Sequence, residues 1–157
     1  MIAAKKLLES LYFEVIPMKG FEEKLDVLKA GDRVGITCSP KQGLQVTLDT
    51  VAKLSDRGFS LTPHLAARQV MNKQHLKDIV SQLTDSGITS IFVPGGDLDE
   101  PMGEYDSSAA VLRDIADIEH PFTRIGVASY PEGHPAISDD LLFEALSAKQ
   151  GIATRTW

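Results

Sequence analysis

Cysteine is almost missing from this chain. Cys38 stands alone, which excludes an internal disulfide and suits a reducing cytoplasm. Basic charge is short as well: 16 Lys and Arg face 22 Asp and Glu, a formal net charge of −6. No basic stripe interrupts that surplus, so a nucleic-acid partner is not expected. No apolar run approaches the length of a membrane span. The first ten residues carry Lys5 and Lys6 but lack the continuous apolar core and small-residue cleavage site of a secretory signal. Low-complexity segments and linkers are absent too, so one domain over residues 1–157 is expected, cytoplasmic and without a membrane partner. An anionic cofactor would have to be held locally, by backbone amides, helix N-termini and a few cations.

What is present is an alternation of short β-branched runs with helical repeats. Strands are expected over residues 11–16, 33–37, 61–66, 90–93 and from 123 onward. Helices are expected over residues 1–11, 21–30, 44–57, 73–86, from Ser107 or Ser108 to 118, and from Ser138–Asp139 to 148. Asn72 is placed to cap the helix that buries Leu76, Ile79, Val80 and Leu83. Five strands alternating with helices predict parallel pairing. The expected fold class is α/β, a partial (β/α)8 barrel of about five units.

Every expected strand ends in chemistry. Glu14 sits on the first, Thr37 closes the second, His64 the third and Asp97 the fourth. The fifth runs into Tyr130-Pro131-Glu132-Gly133-His134-Pro135, an aromatic hydroxyl, a carboxylate and an imidazole on a loop stiffened by two prolines. In a parallel sheet these ends share one rim, where the ligands of such folds bind.

Four segments carry a family resemblance: residues 13–25 (FEVIPMKGFEEKL), 63–68 (PHLAAR), 92–97 (FVPGGD) and 130–135 (YPEGHP). In this order they resemble methylenetetrahydrofolate reductase, most closely its short actinobacterial-type branch, over residues 12–154. The resemblance implies a flavin-dependent barrel enzyme of one-carbon metabolism, in which NADH or NADPH reduces a bound FAD that then passes hydride to methylenetetrahydrofolate. It assigns Glu14 as the acid that protonates a folate nitrogen. Asp97 becomes the carboxylate beside the flavin ring. Thr37, His64, Gly96, Asp97, Tyr105, Tyr130, His134 and Asp140 match the flavin-binding set, and no metal site is implied.

The sequence departs from that family at Gly95, where arginine is usual, and at Cys38-Ser39-Pro40 after Thr37. The likeness fades within residues 151–157, before the family's Thr-Gln segment. The expectation is a barrel truncated after five units, weak or inactive as an enzyme, whose fifth strand presents an open apolar edge. Two chains would then pair through that edge into a homo-oligomer.

Simpler readings stand beside each assignment. Glu14 alternates with Phe13 and Val15, so it could serve a buried structural ion pair. His64 could be a core histidine satisfied by backbone, Gly95-Gly96-Asp97 an ordinary turn, Glu132 a loop brace and Cys38 an inert thiol. Asp99, Glu100 and Glu104 read as a solvated acidic loop. A non-catalytic half-barrel that self-associates without a cofactor is the alternative from another class, and a small nucleotide-binding α/β protein is a third.

Overall fold

The computed structural model describes residues 11–156. The helix expected over residues 1–11 therefore lies, apart from Leu11, outside the described residues. Among the described residues six short strands follow one another: β1 (Tyr12–Val15), β2 (Arg33–Ile36), β3 (Ser60–Pro63), β4 (Ser90–Phe92), β5 (Arg124–Val127) and β6 (Arg155–Thr156). Five α-helices intervene: α1 (Phe21–Lys24), α2 (Leu44–Leu54), α3 (Lys73–Asp85), α4 (Ser108–Ala116) and α5 (Asp139–Ser147).

All strand pairs are parallel and join neighbours in the chain, in two sheets of order β1-β2-β3 and β4-β5-β6. The sheets meet just past the end of β3. His64 bridges Phe92 in parallel, and Leu65 N–H donates to the Phe92 carbonyl at 2.7 Å. Beneath that seam the buried hydroxyls of Thr62 and Ser90 lie 3.1 Å apart. The strand series thus runs in chain order, and the C-terminal ends of its strands face the same way.

The strands owe their burial to apolar residues such as Val34, Ile36, Ile91 and Val127, each fully enclosed. Strands buried on both faces read as continuous apolar runs rather than alternating ones. α3 shows the local logic most clearly. Asn72 Oδ1 accepts from His75 N–H at 2.9 Å, satisfying one orphan donor of the first turn, and Leu76, Ile79, Val80 and Leu83 all face the core.

Several expectations need correction. The helix predicted over residues 21–30 is one α-turn continued as a tight turn, Leu25–Val27, and the chain is extended again at Leu28. Leu25 is buried while Val27 is 80% exposed, so the apolar spacing there anchors a short turn rather than a helical face. Neither Ser107 nor Ser138 makes a side-chain capping hydrogen bond. The fifth strand is not a bare edge: β6 pairs with it through Gly126↔Arg155 and Val127↔Thr156. Two residues carry no periodicity, so the local pattern does not mark this sixth strand.

Candidate functional site

The strand-end groups assemble along the C-terminal rim. On β1, Glu14 keeps its side chain 56% exposed, and its Oε1 lies 4.0 Å from His64 Nε2. A buried structural ion pair is thereby excluded, because one partner is solvated and the other is neutral. His64 is 8% exposed and packs edge-on against Phe92, with ring centres 4.7 Å apart. Burial lowers its pKa to about 4. Water screens the Glu14 charge, so desolvation wins over attraction at this distance. The imidazole Nε2 has no hydrogen-bond partner among the described residues. A buried acceptor or donor left open at a sheet's ligand edge is a place for a ligand atom to bind.

Thr37 closes the end of β2. Its N–H and its hydroxyl both donate to the Val15 carbonyl, at 2.9 and 3.1 Å, so the hydroxyl is engaged in holding β1 to β2. Next to it, burial pushes the Cys38 thiol up despite hydrogen bonding to Thr47 and to the Ala66 backbone. A thiol in that setting stays protonated and inert at neutral pH.

The turn after β4 is stitched to the turn after β3. Ala67 and Arg68 N–H groups donate to the Pro94 and Gly95 carbonyls at 3.0 Å, and the Arg68 guanidinium reaches the Leu98 carbonyl at 2.8 Å and that of Asp106 at 3.1 Å. Gly96 has φ +95°, and a Cβ there would stand 3.2 Å from the Ala66 side chain. Only glycine takes that backbone without strain, so the turn brings Asp97 to the rim beside the β3 loop.

After β5, Gly133 N–H closes a turn onto the Tyr130 carbonyl at 3.0 Å, and the Tyr130 and His134 rings meet edge to face at 5.0 Å. A cavity of about 620 Å³ collects Gly96, Asp97, Tyr130 and His134 in one wall system. The N-terminus of α4, at Ser107 and Ser108, opens into the same cavity. A neighbouring cavity of about 680 Å³ shares Tyr130, Leu142 and Lys149 with it.

The expected residues therefore form two clusters, Glu14 with His64 and the quartet around the cavity, linked where Ala66 meets Gly96. Three expected members stand apart: Thr37, whose hydroxyl is engaged at the β1–β2 closure, Tyr105 and Asp140. The Tyr105 hydroxyl donates to Asp114 Oδ2 at 2.6 Å, and Asp114 in turn accepts from Lys73 at 2.8 Å. Lys73 and the Tyr105 hydroxyl hold the Asp114 carboxyl below its usual range, so Tyr105 acts as a latch between its loop and α4. Asp140 lies exposed in the first turn of α5 and does not line the cavity.

Two residues that the sequence did not single out for function belong here. Arg68 lines the cavity while bracing its loops. Lys149 also lines it, 8% exposed, with burial lowering its amine pKa. A lysine at the end of an amphipathic helix normally reads as solvated, so nothing in the local pattern marks it.

No family model matches this chain. It is similar over 82 residues, at 34% identity, to a 5,10-methylenetetrahydrofolate reductase of Pectobacterium carotovorum subsp. carotovorum; the aligned part is 50% of this chain and 26% of that protein. The match thus covers about a quarter of the length of that relative.

Proposed function

We propose that this chain is a flavin-binding, oxidoreductase-type module of folate one-carbon metabolism, built as part of a (β/α)8 barrel. The observation that carries the reading is the convergence of Gly96, Asp97, Tyr130 and His134 on one cavity, with the unpartnered His64 Nε2 on the adjoining rim. The likeness to a methylenetetrahydrofolate reductase supports it.

The residues suit FAD on chemical grounds. A cavity of about 620 Å³ lies within the size range of small-molecule sites. Tyr130 offers an aromatic face, and Gly96 lets the turn that carries Asp97 pack against Ala66. The α4 N-terminus favours a diphosphate. When bound, the flavin would relay hydride from NADH or NADPH to the folate. The protein groups orient and protonate: Asp97 places a fixed negative charge beside the ring, and His64 offers a neutral imidazole nitrogen. Glu14, at the solvated mouth, exchanges a proton with a folate nitrogen. Thr37 supports the site through the β1–β2 closure, and Tyr105 holds the loop behind Asp97.

FAD titration with flavin fluorescence as readout tests the reading. Quenching that saturates at micromolar protein is expected, with Gly96→Ala weakening it by about tenfold, or about 1.4 kcal/mol. A folded protein that leaves FAD and FMN fluorescence unchanged refutes it. NADH-dependent reduction of menadione, compared between wild type and Asp97→Asn, then asks whether bound flavin turns over.

The second reading is a self-associating, non-catalytic half-barrel. It is favoured by α5, none of whose residues is fully buried, by Phe143, which is 71% exposed and shares a cavity wall with β6, and by Leu141, which is 56% exposed. On this reading the second copy packs against that face and the outer edge of β6.

A further inference from the structure

Buried lysines ordinarily carry a carboxylate partner, because an unpaired ammonium in an apolar setting is costly. Even exposed lysines have such partners here: Lys73 has Asp114 at 2.8 Å and Asp117 at 3.6 Å, and Lys53 has Glu22 at 3.7 Å. Lys149 breaks the rule. The residue is 8% exposed, and among the described residues no carboxylate lies within 4.0 Å of its amine. The carboxylates that share its cavity walls, Asp97, Asp106, Glu132 and Asp139, stand farther off than that, and Arg68, Arg113 and Arg155 line the same walls.

Its backbone is fixed from both sides. Lys149 N–H donates to the Leu146 carbonyl at 3.1 Å, and its own carbonyl accepts from Ile152 and Ala153 at 3.3 and 3.1 Å. The side chain lines three cavities around α5, of about 690, 680 and 620 Å³. A lysine that is enclosed, unpaired and served by open space has the surroundings of an amine nucleophile.

We propose that Lys149 is a covalent capture site for small aldehydes, its Nζ forming an imine inside the cavities around α5. The neutral amine adds its lone pair to the carbonyl carbon. A proton passes from nitrogen to oxygen to give the carbinolamine, and loss of water leaves the C=N bond; nothing is oxidised or reduced. Burial favours the first step, since it lowers the amine pKa and enlarges the neutral fraction. The enclosed setting also favours loss of water over its re-addition. Lys149 shares one cavity wall with the flavin site proposed above, but imine formation needs no flavin and is read without it, so failure of either proposal leaves the other standing.

Limiting acetaldehyde with sodium cyanoborohydride, which reduces each imine to a stable ethylamine, reports the site directly by peptide mass mapping at neutral pH. Lys149 in the native chain is expected to label severalfold faster than the exposed Lys41 and Lys77, and to lose that lead in concentrated urea. Labelling of Lys149 no faster than of Lys41 and Lys77 overturns the proposal. So does a lead that survives unfolding, because the local sequence rather than the cavity would then be its cause.

Discussion

Replacing His64 with leucine removes one proton-binding group from a site whose acid response has a definite sign. In the folded chain His64 has a pKa of about 4, against an ordinary 6.5. Between those values the unfolded chain takes up a proton that the folded chain refuses, so stability falls as pH drops. Above 6.5 both states are neutral and nothing is lost; below 4 both are charged and the loss has run its course. The whole window is worth roughly 3 kcal/mol, of which about 2 kcal/mol is gone by about pH 5. Urea unfolding followed by circular dichroism measures it, and a urea slope of about 2 kcal/mol/M turns the loss at pH 5 into a midpoint shift of about 1 M. The comparison is a difference of differences. Wild type loses more stability between pH 7.5 and 5 than His64→Leu does, by about 2 kcal/mol, while the other titrating groups cancel. Equal losses refute the reasoning. The opposite sign would be more telling, for it would mean that Glu14, 4.0 Å away, pairs with a charged imidazole strongly enough to outweigh burial.

The capping assignments separate cleanly. Asn72→Ala is expected to cost about 1 kcal/mol in urea unfolding, whereas Ser107→Ala and Ser138→Ala, which remove no side-chain cap, stay within about 0.5 kcal/mol of wild type. Light scattering after gel filtration checks self-association. A mass of two chains is expected on the self-associating reading, and Phe143→Glu is expected to return it to one; a wild-type monomer at micromolar concentration dismisses that reading.

The rim was legible because strand direction is. Once β-branched runs alternate with helices, parallel pairing is the natural topology, and every strand ends on the same side. Glu14, His64, Asp97 and Tyr130 could therefore be placed together from their positions at strand ends. What each side chain does there was less legible. Tyr105 lies on the correct loop, but whether its hydroxyl faces the cavity or Asp114 depends on α4, which the loop residues do not encode. Glu14 alternates with apolar neighbours, as an inward residue does, but its exposure depends on what lies across the mouth.

The sequence by itself determined the order of elements, the apolar face of α3 and its Asn72 cap, and the acidic, cysteine-poor character of the chain. These follow from spacing, propensity and composition, all local quantities. Only the tertiary structure decided that burial keeps the His64 pKa low, that Lys149 is enclosed with no carboxylate beside it among the described residues, and that residues 155–156 form a strand against β5. The physical reason is that desolvation, pairing and edge coverage arise between segments distant in the chain, and a side chain's own neighbours in sequence do not fix them.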